Sequence, residues 1–257
     1  EIKNRVLAEI SKIIGEKKAS VTVETGADGT PTTVIDKIAE SAIFKFLDEY
    51  GLSVNVISEE AGEISIGDGN KDATLVIDPI DGTYNAIKGV PPFSISIAIG
   101  KANAKFVNDL YLGYVYEVMS KLEYVGYGKE SYKNGKEIHT EGGKIEEICA
   151  SIYVVTEDMC RRYTEAISKL KRVRNYGSVA TELCFVADSS IAALVDMRKM
   201  LRVTDIAAGV VVLRGAGGVV IDESWERFDA ELSLKEKVSI VGCANRDVAD
   251  SLRELII

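Results

Sequence analysis

The sequence predicts an α/β (α+β) fold made of two joined subdomains. At 257 residues, the chain has room for one large domain or two closely joined ones. Its first half sets two amphipathic helical runs ahead of a series of β-rich segments, while its second half alternates strand-like and helix-like segments. Between the halves, residues 129–146 form a stretch rich in Lys, Glu and Gly, the natural seam. We expect an α+β subdomain at 1–135 and an α/β subdomain at 136–257, the latter with helices on both faces of its sheet.

Residues 2–19 carry Ile2, Val6, Leu7, Ile10, Ile13 and Ile14 at helical spacing, with charges between them. A polar loop follows, Thr25-Gly26-Ala27-Asp28-Gly29-Thr30-Pro31-Thr32, with few apolar anchors. We expect it to act as a lid that closes over a bound ligand. The second helix starts near Thr33 and runs through Ile35, Ile38, Ala39, Ile43, Phe44 and Leu47. Gly51 stops it, where a left-handed residue is usual. Strands are predicted at 54–58, 74–78 and 93–99, with two more around a turn in 111–128, giving a mostly antiparallel sheet. In the second half, strands at 148–155, 172–176, 191–196, 218–221 and 238–243 alternate with helices at 157–170, 179–188, 205–215 and 246–256. The sequence shows no internal repeat and no low-complexity tract.

Charge and composition exclude several functions. With 31 basic against 40 acidic side chains, the formal charge is −9. A protein that neutralises many phosphates carries a basic stripe, and none is visible, so neither nucleic acid nor an anionic membrane is an expected partner. No apolar run approaches the ~20 residues that span a bilayer. The single histidine, His139, would have to carry any triad or zinc site alone. It lies in polar Glu137-Ile138-His139-Thr140 and reads as a surface residue. Chemistry here is expected to run on carboxylates.

The four cysteines, Cys149, Cys160, Cys184 and Cys243, have no Cys-x-x-Cys spacing, and no secretory signal is evident. They read as reduced, mostly buried thiols of a cytoplasmic protein, with a Cys149–Cys184 bridge as an open alternative. A start at Glu1 rather than Met is expected of a trimmed N-terminus. Trp225 is expected to pack against a surface loop rather than stack on substrate.

One segment stands apart: Leu75-Val76-Ile77-Asp78-Pro79-Ile80-Asp81-Gly82-Thr83. An apolar strand delivers Asp78 to its end, and Asp81 follows three residues later. Two carboxylates on one tight turn repel each other unless a cation lies between them. Mg²⁺ suits such a site, taking carboxylates, waters and phosphate oxygens. The N–H groups of Gly82 and Thr83 then offer a phosphate cradle where a helix opens. The bland alternative is an Asx-turn and an N-cap. Two further acids, Glu59-Glu60, end another β-run, and Asp205 leads a very apolar helix. Solvated surface explains the first pair and an N-cap explains Asp205; metal ligation explains both.

Glu59-Glu60, Asp78-Pro79-Ile80-Asp81-Gly82-Thr83 and Asp205-Ile206-Ala207-Ala208-Gly209 with Ala216-Gly217-Gly218 resemble the signatures of the inositol monophosphatase family. The resemblance covers essentially the whole chain. Asp28-Gly29-Thr30-Pro31-Thr32, Gly177-Ser178 with Thr181-Glu182-Leu183-Cys184, and Lys199-Met200-Leu201-Arg202 look most like the archaeal branch, which is described as both fructose-1,6-bisphosphatase and inositol-1-monophosphatase.

The resemblance implies a layered αβαβα sandwich, a homodimer, and an Mg²⁺-dependent phosphomonoesterase with two or three ions per site. By position, Glu59, Asp78 and the Ile80 carbonyl would hold one ion, while Asp78, Asp81 and Asp205 would hold a second. Glu59 would also reach a third. Glu60 lies where the family has an acid behind the ligands. Asp36 matches the acid that pairs with the motif threonine, here Thr83, to activate water. Ser178 and Asp196 match substrate-binding positions. Two departures, Thr204 where the family often has Trp and Gly215 where it often has Glu, touch no metal ligand but loosen any inference about substrate. Arg172, Arg174, Arg198 and Arg202 are candidates to hold a second phosphate on the substrate, although an ordinary solvated face explains them too.

The implied substrates are fructose-1,6-bisphosphate and inositol-1-phosphate. A nucleotide 3′-phosphatase and a non-catalytic metal-binding relative are the alternatives. A degenerate relative should lack some of Glu59, Asp78, Asp81, Thr83 and Asp205, and all five are present. No Gly-x-x-x-x-Gly-Lys-Ser/Thr loop supports a nucleotide-binding kinase.

Overall fold

Helix α1 (Ile2–Ile10) ends sooner than its apolar period suggests. Ile13 is still buried, but Gly15 turns the chain at φ +75° and only a short 3-10 turn follows, over Lys17–Ser20. The computed structural model describes residues 1–27 and 29–256. The expected loop at 25–32 is the tip of a two-stranded hairpin, β1 (Thr22–Thr25) against β2 (Pro31–Thr33). It is anchored through Gly26 N to Thr30 O at 2.8 Å and Ala27 N to Glu60 O at 2.9 Å. Asp28 lies outside the described residues. The hairpin is invisible in hydropathy because β1 is exposed along its whole length.

Helix α2 (Val34–Glu49) ends as expected, with Gly51 left-handed at φ +61°. Then come β3 (Val54–Ser58), β4 (Gly62–Ile66), β5 (Ala73–Asp81), the short α3 (Thr83–Lys88), β6 (Ser94–Lys101), β7 (Leu110–Glu117), β8 (Leu122–Tyr127), β9 (Glu130–Lys133) and β10 (Lys136–Glu137). These strands form one sheet in the order β10-β9-β8-β7-β6-β5-β3-β4. Only β3 and β5 run parallel; the other pairs are antiparallel. Residues 129–146, taken as the seam, include the β9–β10 hairpin that continues this sheet. The expected boundary at 135/136 falls in its turn.

The second half follows its predicted alternation: β11 (Cys149–Ile152), α4 (Glu157–Lys169), β12 (Arg172–Arg174), α5 (Val179–Ala187), β13 (Ala193–Leu201), α6 (Val203–Gly215), β14 (Val219–Ile221), β15 (Val238–Cys243) and α7 (Arg246–Ile256). Its strands order as β12-β11-β13-β15-β14.

Five layers result. Helices α1 and α2 pack Ile10, Ile35 and Ile43 on one face of the large sheet, against Leu75, Ile77 and Ile95. Val76, one residue out of phase, points to the other face and joins the core of α5 and α6. Burial on both faces explains why β5 reads as a continuous apolar run rather than an alternating one. Helix α6 is buried along nearly its whole length because it lies between the two sheets. A Cβ on Gly113 of β7 would come within 2.4 Å of Ala208 O, so glycine there lets helix and strand meet. Helices α4 and α7 cover the outer face of the small sheet with Tyr163, Ala166, Val248 and Leu252. The order α, β, α, β, α is the expected sandwich.

Two smaller expectations change. Trp225 is buried in the outer core rather than set against a surface loop. All four cysteines are free, so the Cys149–Cys184 bridge is not formed. His139 is exposed, as expected. Among the described residues, no helix is long and apolar enough to cross a membrane.

Candidate active site

The acids converge because strand ends and helix starts meet on one side of the large sheet. The parallel pairing of β3 with β5 ends at Ser58 opposite Ile77, which puts Glu59 beside Asp78, while β5 runs on to Asp81. Between Asp78 and Asp81 the β5–β6 register shifts by one residue, a bulge around Pro79. Asp205 enters from the first turn of α6. Carboxylate oxygens of Glu59, Asp78 and Asp205 lie within 4.8 Å of one another, all three side chains buried.

These acids floor a cleft of about 490 Å³, lined also by Asp36, Glu60, Ile80, Asp81, Gly82, Thr83, Arg198 and Arg202. Burial raises Asp78 and Glu59 well above the usual carboxylate range, and their acidic neighbours add to it. Burial likewise pushes Glu60 up to about 7, against a hydrogen bond from Thr32 that lowers it. Among the described residues, Arg202 is the cation that reaches this group. Its Nε donates to Asp205 Oδ1 at 2.8 Å, and its Nη1 donates to Glu59 Oε1.

Asp36 and Thr83 meet as expected. The Thr83 hydroxyl lies 2.9 Å from Asp36 Oδ1 and 3.0 Å from the Ile80 carbonyl. Asp36 Oδ2 accepts from the Thr33 N–H at 3.2 Å and from its hydroxyl at 2.6 Å, capping α2. Burial raises Asp36 above the usual carboxylate range, opposed by the hydrogen bonds from Thr33 and Thr83.

Asp81 sits differently from the three clustered acids. It accepts from Ser178 Oγ at 2.6 Å and from Val179 N and Ala180 N at 3.1 and 2.9 Å. It thus satisfies two buried N–H groups in the first turn of α5, where a negative charge is favoured. Even so, burial pushes it up to about 7. Gly82 follows at φ +90°, and a Cβ there would come within 3.0 Å of Gly177 O.

The expected substrate residues divide. Arg198 lines the cleft, stacked 4.2 Å from the Tyr153 ring centre. Asp196 does not line it: the side chain is fully buried and both its oxygens are held by Arg198, at 2.9 and 2.6 Å. Ser178, which precedes α5, is also fully buried, its hydroxyl committed to the side chains of Asp81 and Thr181. Arg172 and Arg174 are not brought to the cleft. They lie on edge strand β12, and Arg172 lines a separate pocket beside Cys149.

Four features escaped sequence reasoning. Tyr84, 71% exposed, and Met200 line the rim, adjacent to motifs whose own signal was acidic. Tyr153 forms part of the wall. Glu182, fully buried, accepts from Tyr153 Oη at 2.6 Å and Gly177 N at 2.9 Å, and so fixes the turn into α5.

A layered α/β sandwich with buried acids gathered where strand ends and helix starts meet, beside a threonine–aspartate pair, defines a phosphoric monoester hydrolase. The inositol monophosphatase family matches residues 1–255. A fructose-1,6-bisphosphatase/inositol-1-monophosphatase of Thermococcus kodakarensis is 37% identical over 247 residues, covering 96% of this chain and 91% of the relative. A bifunctional NADP phosphatase/NAD kinase of Methanocaldococcus jannaschii is 32% identical across 94% of this chain and 47% of its own length. A hypothetical protein from Pyrococcus horikoshii, described as having similarities to inositol-1 monophosphatase, superposes with TM-score 0.85 at 36% identity, over 100% of this chain and 95% of that one. The chain belongs to the inositol monophosphatase family.

Proposed function

We propose that this protein is an Mg²⁺-dependent phosphomonoesterase acting on fructose-1,6-bisphosphate and inositol-1-phosphate, as a cytoplasmic homodimer. The observation that carries this reading is the buried group Glu59, Asp78 and Asp205 beside the Asp36–Thr83 pair. Substrate, location and dimer rest on likeness to the family and its relatives.

The donor set fits Mg²⁺. Carboxylates are hard oxygen ligands, and the three acids carry more negative charge than Arg202 offsets. Glu59, Asp78 and Asp205 would hold the ion, with Asp81 and the Ile80 carbonyl as further donors in the same cleft. When bound, Mg²⁺ neutralises charge on the phosphoryl oxygens and makes water a stronger nucleophile near neutral pH.

The protein groups do the positioning. Asp36 Oδ1 accepts the Thr83 hydroxyl hydrogen, which leaves Thr83 Oγ1 free to accept one from a water in the cleft. As the water attacks phosphorus, Asp36 is the nearby base able to take the released proton through Thr83. Gly82 and Thr83 orient the phosphate at the start of α3. Arg198 offers a cation to a second anionic group on the substrate, and Asp196 fixes its direction. Glu60, held by Thr32, backs the ligands.

Phosphate release from fructose-1,6-bisphosphate, inositol-1-phosphate and NADP, with and without Mg²⁺, tests the reading. Highest kcat/KM on one of the first two, lost on chelation, supports it. Preference for NADP overturns the substrate, and inertness toward all three overturns the activity. Light scattering tests the dimer.

A further inference from the structure

A second pocket, of about 500 Å³, opens away from the acidic cleft among β7, α6, β14 and the start of α7. Its charge is opposite to that of the chain. Lys129, Arg214, Arg227 and Arg246 line it, and its lining includes no carboxylate, in a protein of net charge −9. Val107, Leu110, Val211 and Val220 supply an apolar floor.

The cations are placed in different ways. Arg214 is half-buried and fixed, its Nη1 donating to Asn108 Oδ1 at 2.7 Å and its Nη2 to the Phe228 carbonyl at 2.5 Å. Burial lowers its pKa, and the nearby Arg227 charge adds to this while Asp229 opposes it. Arg246 is paired with Asp250 at 2.9 Å. Arg227 and Lys129 are exposed, and among the described residues neither enters an ion pair. Like charges gathered this way repel one another, so the arrangement favours an anion between them.

We propose that this pocket binds a small phosphorylated molecule carrying two or more negative charges, separately from the acidic cleft. Its volume lies in the range of small-molecule sites. The chain's net charge of −9 disfavours a polyanionic macromolecule. Arginine forks suit phosphate oxygens, and the apolar floor suits the non-phosphate part of such a ligand. Helix α6 carries Asp205 in its first turn and Arg214 in its last, so the two sites lie about 14 Å apart along one rigid element.

Calorimetric titration of the full chain in chelator tests this, with ATP and pyrophosphate as probes and adenosine as the uncharged control. Chelation removes the ions through which the acidic cleft would hold a phosphate. The expected result is one site for ATP or pyrophosphate and none for adenosine. Affinity should fall at least tenfold in Arg227→Ala and in Lys129→Ala, and stay unchanged in Asp78→Asn. Tighter binding of ATP than of pyrophosphate would show that the apolar floor contributes; equal binding would show that the phosphates suffice. Unchanged Mg²⁺-dependent phosphate release in the two pocket variants shows that they are folded, and neither residue touches the cleft. No binding up to millimolar probe, or equal affinity in wild type and both pocket variants, overturns the proposal. Because binding is read without metal or turnover, its failure is distinct from failure of the phosphatase reading.

Discussion

The Thr83 hydroxyl lies 2.9 Å from Asp36 Oδ1 and so ties the first turn of α3 to the first turn of α2 across the mouth of the cleft. Asp36 is also held by Thr33, and the Ile80 carbonyl lies 3.0 Å from the same Thr83 hydroxyl. The pair is therefore fixed before any ligand arrives. Thr83→Ala should lower kcat by roughly 10²–10⁴-fold while leaving Mg²⁺ affinity near wild type, as expected for a lost proton relay. Thr83→Ser should restore much of it. Steady-state kinetics with Mg²⁺ titration check this.

Asp78 is the most buried of the clustered acids, at 2% exposure, and its like-charged neighbours disfavour its ionised form. Asp78→Asn keeps the shape and removes the charge. Mg²⁺-stimulated turnover should vanish, yet the chelated protein should become more stable. A gain of roughly 1 kcal/mol would raise Tm by about 2–4 °C in a chain of this size. Thermal unfolding in chelator and a turnover assay read the two effects.

Stability without metal should depend on pH in a direction opposite to that of ordinary paired carboxylates. Glu60 and Asp81 are both pushed up to about 7, so the folded chain holds protons that the unfolded chain has released. Where the folded state binds more protons, stability falls as pH rises. The chelated protein should thus melt at progressively lower temperature from about pH 4.5 to above pH 7. Mg²⁺ should raise Tm more at pH 8 than at pH 5.5, because protons no longer compete for the same oxygens. Melting curves across that range decide it.

Arg202 joins Glu59 to Asp205 and partly balances the cluster. Arg202→Gln should cost the chelated protein roughly 3–5 kcal/mol, the usual penalty for leaving buried charge uncompensated. Saturating Mg²⁺ should recover most of that loss. Equal destabilisation with and without Mg²⁺ would count against this role.

Much of this was legible in the chain itself. The periods of α2, α4, α6 and α7 were readable because each buries a continuous stripe or lies wholly inside. The hairpin β1–β2 and the strands β4, β9 and β10 were not, since they are short, largely exposed and stabilised by pairing rather than by apolar pattern. Helix α1 was overread because Ile13 keeps the helical period after the helix has ended.

By itself the sequence determined the order of helices and strands and the acids able to gather, because local period and motif spacing are properties of neighbours along the chain. Which acids bring their oxygens within 4.8 Å of one another was decided in three dimensions, by the parallel alignment of β3 with β5 and by the entry of α6. Tertiary packing also assigned Asp81 and Ser178 to the start of α5, buried Asp196 behind Arg198, and kept Arg172 and Arg174 on an edge strand. A charge finds its partner through space, and that distance is set only when the layers close.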